Sequence, residues 1–393
     1  MNFEFSKKLD HFSVGIFNQL LEKQKELQKK GKKIYNLSVG TPDFKPSDHV
    51  MEAVARACKD PQNYKYALED MPELLDAVIA RYQTRYGVTL SQDEIMSVYG
   101  SQEGMTHVCL PLINPGDVVL VPNPGYPIFS VGPFLCDAVL FEYPLLEENN
   151  FLPDFSDIPE ETARKAKVMI VSYPANPVCK TAPDEFYEEL IAFANRYNIL
   201  IIHDNAYSDI IFDGKIGKSF LSYEGARDVG VEFYSLSKSF NYTGARLSFL
   251  IGNKDVIRNF RKVRSQIDYG IFKPVQYGAI AALTGPDDDV IAHCQEYQRR
   301  RDTLCQGLRK IGWDVPNSEG TMFTWAPLPK GYTNSEQFVM ELMEKSGVIV
   351  VPGSSFGSLG EGYVRMALVL PVEGMQQVVS AIEKSGILKH SCE

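Results

Sequence analysis

The sequence predicts an α/β fold: a large domain built around a mainly parallel sheet, joined to a smaller α+β domain. Three observations carry this. The chain has 393 residues, more than one small core accommodates. Between about residues 47 and 285, short β-rich runs alternate with helical patterns. After about residue 285 that alternation gives way to a long helix, isolated strands and two further helices.

In order, Phe12–Lys30 reads as an amphipathic helix, with Ile16, Leu20, Leu21 and Leu27 on one side and Gly31 closing it. A loop follows at Val39-Gly40-Thr41-Pro42-Asp43, and Ser47–Cys58 and Met71–Tyr86 are helical. Seven β-rich runs come next: Ile95–Tyr99, Val118–Val121, Val139–Tyr143, Val168–Ser172, Ile199–His203, Glu232–Leu236 and Arg246–Ile251. Helical patterns such as Asp184–Tyr197 separate several of them. This alternation gives a mainly parallel seven-stranded sheet covered on both faces. Val290–Ile311 is then a long helix, and Met322–Trp325, Val348–Val351 and Tyr363–Ala367 are strands. The expected division is an N-terminal segment, 1–46, contributing to the small domain, a large domain over 47–285 and a small C-terminal domain over 286–393.

Composition excludes several functions. Hydrophobic residues make up 44 % and charged residues 23 %, an ordinary globular balance. The net charge of −10 argues against a nucleic-acid surface, and the lysines at 23, 25, 29, 30, 32 and 33 read as a solvated helix end. No apolar run reaches the roughly 18 residues that span a bilayer. Met1–Asp10 lacks the apolar core of a secretory signal, so cytoplasmic residence is expected. The 7 cysteines occur singly and the 6 histidines show no ligand spacing. Reduced thiols and no metal site are expected.

The chemistry gathers at strand ends, where functional residues of such sheets collect. Val168–Tyr173 runs into Pro174-Ala175-Asn176-Pro177, and Ile199–His203 into Asp204-Asn205-Ala206-Tyr207. Glu232–Leu236 runs into Ser237-Lys238-Ser239-Phe240. Each residue alone has a plain explanation: Asp204 as a helix cap, Lys238 as a loop lysine, Asn176 as a turn residue, Tyr126 as a core aromatic. Together they bring a carboxylate, an amide, a phenol and an amine to one sheet edge. Carbanion stabilisation by pyridoxal 5'-phosphate needs that set: an amine for the aldehyde, an acid for the pyridine nitrogen, donors for the phenolic oxygen and an aromatic plate. The phosphate needs hydroxyls, backbone N–H groups and an arginine.

The sequence resembles the fold-type I, class I/II aminotransferases almost end to end. The motifs are Gly40-Thr41-Pro42-Asp43, Gly100-Ser101-Gln102-Glu103-Gly104, Asn123-Pro124-Gly125-Tyr126-Pro127, Asn176-Pro177, Asp204-Asn205-Ala206-Tyr207, Ser235-Leu236-Ser237-Lys238 with Gly244-Ala245-Arg246, and Tyr363-Val364-Arg365. The resemblance implies that Lys238 carries the cofactor and then acts as the base that moves the 1,3-proton. It implies that Asp204 pairs with the pyridinium nitrogen, and that Asn176 and Tyr207 hydrogen-bond the ring oxygen. Ser101, Gln102, Ser235, Ser237 and Arg246 would hold the phosphate, and Tyr126 would stack on the ring. Arg365 would grip the substrate α-carboxylate, with the Gly40 backbone nearby. Tyr66 would reach the phosphate of the other subunit, implying a homodimer with shared active sites.

Within the family the likeness is nearest to LL-diaminopimelate aminotransferases and their bacterial relatives. It rests on Asn123–Pro127, Pro144–Asn149, Glu232–Lys238 and Ala279–Pro286. It implies amino transfer between LL-2,6-diaminopimelate and 2-oxoglutarate, in lysine biosynthesis. Four stretches depart from those relatives. Gln102 stands where Lys is common, and Asn176-Pro177-Val178-Cys179 replaces Asn-Pro-Thr-Gly. Ala245 stands where Trp is usual, and Asp70–Leu75 lacks a usual Gly and Arg. Glu69 or Asp70 of a partner subunit would meet the distal ammonium of diaminopimelate. The competing expectations are an aminotransferase for alanine or another amino acid, a carbon–sulfur β-lyase, or a binding module that keeps the fold without the chemistry. A nucleotide-binding protein is disfavoured, because no G-x-G-x-x-G or Walker loop follows a strand.

Overall fold

The computed structural model describes residue 1, residues 3–12 and residues 16–392. Its strands are β1 (Tyr35–Asn36), β2 (Ile95–Val98), β3 (Val118–Asn123), β4 (Val139–Pro144), β5 (Ala166–Ser172), β6 (Leu200–Asn205), β7 (Gly230–Ser235), β8 (Ser248–Gly252), β9 (Phe323–Pro327), β10 (Val348–Ile349), β11 (Val351–Pro352) and β12 (Tyr363–Ala367). The chain divides into two compact units. The larger holds Thr41–Gln298 and Ser318–Met322; the smaller holds Met1–Gly40, Arg299–Asn317 and Phe323–Glu393.

In the larger unit seven strands form one sheet in the order β2-β8-β7-β6-β5-β3-β4. β8 runs antiparallel to both its neighbours, and the other pairings are parallel. β5, β6 and β7 lie side by side in its middle, with Ser172 opposite Asp204 and Asp204 opposite Phe233. These strands are buried almost throughout; β5 reads as a near-continuous apolar run, while β6 ends in His203-Asp204-Asn205 and β7 carries Glu232. One face packs Val98, Val121, Ile170, Ile202, Phe233 and Leu250 against Met105, Val108, Phe129, Ile257 and Phe260 of the covering helices. Burial of this kind stabilises by about 25 cal/mol per Å² of apolar surface.

The smaller unit has two small sheets. β1 pairs in parallel with β10, and β9, β12 and β11 form an antiparallel group. The predicted strand Val348–Val351 is therefore two strands in two sheets, an apolar run whose change of partner no periodicity reveals. β1, too short to show alternation, is an element that the sequence reading lacks.

The long helix Asp288–Lys310 belongs to the larger unit up to Gln298 and to the smaller from Arg299. The division thus falls inside a helix, later than the change of pattern after residue 285 suggests. The helix Ile16–Lys29 buries Leu20 and Leu27, as an amphipathic face does, but leaves Leu21 48 % exposed, which corrects its place in the apolar stripe. The start predicted at Phe12 runs through residues 13–15, and with the side chain of Ile16 it lies outside the described residues. Gly31 closes the helix at φ +79°, with Lys32 N–H donating to Leu27 O at 3.0 Å.

Candidate active site

Side chains alternate across a strand, so the core face of each strand continues into whatever stands two residues on. Beyond Ile202 on β6 that residue is Asp204, and beyond Phe233 on β7 it is Ser235. Asp204 extends an apolar face, and its Oδ1 is buried without a hydrogen-bond partner. Burial pushes its carboxyl up to about 6; His203 and Lys238 oppose the rise and Glu232 adds to it. The structure thus brings the predicted acid and the predicted lysine within electrostatic reach of each other. Asp204 lies inside β6, not in a turn after it.

Lys238 sits on a short helix, Leu236–Ser239, that starts where β7 stops. Ser235 caps it, its Oγ accepting the Ser237 N–H at 3.2 Å. Across the β7–β8 pair the Ser248 hydroxyl donates to Ser235 at 3.0 Å. Ser248 was not singled out in the sequence; a serine starting a strand signals a site only once that register is known.

The helix Ser101–Leu112 starts at Gly100, whose φ of +86° lies in the region that favours glycine. A Cβ there would stand 2.8 Å from the Arg246 guanidinium carbon, so that guanidinium rests on bare backbone at the helix start. Ser101 Oγ is buried there without a partner. Helix N–H groups, a hydroxyl and a guanidinium are the donor set that binds a phosphate dianion. Gln102 is exposed on the next position, and the Tyr126 hydroxyl donates to its Oε1 at 3.4 Å. Tyr126 is half-buried against the core of the sheet.

Asn176 and Tyr207 are both buried and follow the neighbouring strands β5 and β6. The turn after Asn176 holds Cys179 in the left-handed region at φ +58°. Its Sγ donates to Pro177 O at 3.0 Å and accepts from the Thr321 hydroxyl at 3.3 Å. These bonds hold the turn although a side chain occupies a position suited to glycine.

In the smaller unit Arg365 is buried on β12. Its guanidinium carbon lies 4.1 Å from the centroid of the Phe323 ring and 4.7 Å from that of Phe356. A Cβ on Gly40 would come within 2.6 Å of Phe323 Cζ, so Gly40, Phe323 and Arg365 form one stack. Rings on its faces hold the guanidinium so that its fork suits a carboxylate. The sequence marks neither ring, because Phe323 in a strand and Phe356 in a short helical turn both read as core.

Tyr66 stands apart: it is 78 % exposed, its ring 4.9 Å from that of Tyr269. Asp70 accepts both the N–H and the hydroxyl of Ser97 on β2, so it anchors a strand and is no open acid. Glu69 is exposed beside it. His203 and Glu232 form a buried pair on neighbouring strands. Glu232 is buried and accepts from Tyr82 at 2.8 Å, Ser219 at 2.7 Å, Phe220 N–H at 2.8 Å and pairs with His203 at 3.0 Å. Its signal was a carboxylate within an apolar strand, which demands partners. Among the described residues Glu103, His107 and Asp268 come within 4.8 Å of one another, a grouping the scattered histidines hid. Glu103 is bonded to His107 and Asp268 to Arg264.

The unpartnered Asp204 oxygen fits a protonated pyridine nitrogen. The bare backbone at Gly100, the unpartnered Ser101 hydroxyl and Arg246 fit a phosphate. Residues 32–382 match the family described as aminotransferase class I and II. The chain is 42 % identical over 98 % of its length to the LL-diaminopimelate aminotransferase of Halothermothrix orenii, covering 99 % of that protein. Substrate-bound BacF from Bacillus subtilis matches with a TM-score of 0.93 at 35 % identity, over 98 % of both chains. The alanine aminotransferase of Pyrococcus furiosus matches with a TM-score of 0.89 at 27 % identity, over 98 % of this chain and 100 % of that one. The chain belongs to the class I and II aminotransferases and is a pyridoxal-phosphate-dependent transaminase.

Proposed function

We propose that this aminotransferase moves the amino group between LL-2,6-diaminopimelate and 2-oxoglutarate, in the cytoplasm and as a homodimer. The observation that carries the chemistry is the placing of Asp204, Lys238 and the Gly100–Arg246 cradle along one edge of the sheet. The names of the relatives that match this chain along its whole length support the substrate.

When bound, pyridoxal phosphate supplies an electron sink that loosens the proton on the substrate α-carbon. The Lys238 amine would hold the cofactor and, once freed, serve as the base that moves the proton in the 1,3 shift across the substrate nitrogen. Asp204 holds the ring nitrogen protonated through an ion pair in a desolvated place. Asn176 and Tyr207 hydrogen-bond the ring oxygen, and Tyr126 covers the ring. Ser101, Gln102, Ser235, Ser237 and Arg246 hold the phosphate. Arg365 takes the α-carboxylate in its fork, beside the Gly40 backbone.

Tyr66 completes the phosphate site of a second copy. In support, Tyr64, Tyr66, Leu68, Tyr269 and Phe272 form an exposed apolar group, costly to leave in water and suited to burial between copies. Glu69, next to that group, meets the distal ammonium of diaminopimelate in the partner's site; Asp70 is occupied by Ser97.

The test is to mix the purified holoenzyme with LL-diaminopimelate and 2-oxoglutarate and to follow glutamate. Glutamate formed with diaminopimelate well above that with alanine or aspartate supports the reading. Pyruvate and ammonia from a sulfur amino acid, with no glutamate, would establish a β-lyase instead.

A further inference from the structure

The turn that carries Tyr207 is held from behind by one helix. Pro72–Tyr86 reaches it from its last turns. Asp209, two residues after Tyr207, is buried, and its Oδ1 accepts from Arg85 Nε at 3.2 Å and Arg81 Nη2 at 3.5 Å. Arg81 is itself fixed, its Nη1 donating to both oxygens of Asp287 at 2.6 and 2.7 Å. Between Tyr207 and Asp209, the Ser208 hydroxyl bonds that of Tyr86 at 2.7 Å. The turn closes on itself, with Ile210 N–H donating to Tyr207 O at 2.9 Å, and Thr321 N–H ties its far end by donating to Ile210 O at 2.8 Å.

A buried carboxylate and a buried guanidinium cost folding free energy, and replacing such pairs by apolar residues often leaves stability unharmed. What the pair adds is position. A phenol that donates to a cofactor oxygen acts only if held within about half an ångström, by residues themselves locked in place. Ser208 and Asp209 are fixed to one rigid helix on each side of their peptide link, so the backbone that aims Tyr207 has little freedom.

We propose that Asp209, clamped by Arg85 and Arg81 and aided by Tyr86, is a positioning residue for Tyr207 and sets the strength of its hydrogen bond to the cofactor. This rests on the role given above to Tyr207. A donor to the phenolic oxygen favours the deprotonated form of the lysine-bound cofactor and lowers the pH at which its visible absorption changes. A slackened turn raises that pH.

The experiment is a spectrophotometric pH titration of the holoenzyme, with cofactor dissociation constants measured in parallel. The variants are Asp209→Asn, Arg85→Gln and Tyr86→Phe, with Tyr207→Phe as reference. Arg85 is part-exposed and Tyr86→Phe removes one hydroxyl, so both keep the test open if the Asp209 variant folds poorly. The expected result is an upward shift of about half a pH unit or more, the size of one weakened hydrogen bond, and cofactor binding weakened roughly fivefold. If Tyr207→Phe shifts the titration and the folded brace variants titrate as wild type, the proposal is overturned while Tyr207 keeps its role. If Tyr207→Phe itself leaves the titration unchanged, the role of Tyr207 falls, and the proposal with it. A lowered melting temperature with an unshifted titration counts as a structural role only and also overturns it.

Discussion

The guanidinium of Arg246 occupies the space that any side chain at Gly100 would need. Its carbon lies 2.8 Å from where that Cβ would stand, and Gly100 has a φ of +86°. Gly100→Ala therefore displaces the arginine and strains the helix start together. The expected outcome is cofactor affinity lowered roughly tenfold to a hundredfold, for a loss of about 1.4–3 kcal/mol, with activity partly recovered at high pyridoxal phosphate. Cofactor titration of the cofactor-free protein measures it.

Arg365 is held between Phe323 and Phe356, both within 5 Å, so its charge and its orientation are separable. Arg365→Lys keeps the charge and loses the fork; Phe323→Leu keeps the guanidinium and removes one ring. Both are expected to raise KM for the amino donor and for the oxo acid together, by roughly a hundredfold for the lysine and fivefold for the leucine variant. Cofactor affinity is expected to stay at the wild-type value. Steady-state kinetics with both substrates decide this, and unchanged KM values would remove Arg365 from the carboxylate site.

What the sequence made legible was local. Asp204 and Lys238 stood out because apolar strands fade into polar residues at their ends, and Arg246 because it falls eight residues after Lys238 in an ordered set of motifs. The helix Ser101–Leu112 was harder, since Gly104 and Pro111 interrupt its pattern. What stayed hidden depends on pairing between distant segments. Ser248 meets Ser235 only through strand register, Phe323 meets Gly40 only through folding, and Asp209 reads as an ordinary loop acid until Arg81 and Arg85 are placed beside it. Cys179 stands where the relatives have glycine, and the hydrogen bonds of its thiol hold a left-handed turn there that the sequence alone does not show.

A shared active site predicts complementation. Tyr66 is exposed, and Lys238 stands on the short helix after β7 and is not among its buried residues, so alanine at either position should leave the fold intact. Lys238→Ala abolishes turnover, and Tyr66→Ala lowers it severely at limiting cofactor. In a hybrid dimer one site recovers both wild-type residues, so a mixture refolded or exchanged to equilibrium regains about one quarter of wild-type activity. Activity that remains at the sum of the two parents would show that Tyr66 serves its own chain.

The carboxyl of Asp204 gives a pH signature in the cofactor-free protein. Its folded value is raised to about 6 by burial, above the usual 3.9 or so for an unfolded chain. Between those values the folded state binds more protons than the unfolded one, so this group makes stability fall as pH rises from about 4 through 6, and the loss then stays level. The full penalty is about 2–3 kcal/mol at pH 7. Asp204→Asn removes it, and the cofactor-free variant is expected to gain that stability at pH 7.5 and progressively less towards pH 4.5. With cofactor bound the order is expected to reverse, because the role proposed for Asp204 gives the wild type a cationic partner that asparagine would lack. Denaturant unfolding of both proteins, with and without pyridoxal phosphate, across this range tests the sign. A variant less stable than wild type at pH 7.5 without cofactor would contradict the strained, desolvated carboxyl on which the acid's role depends.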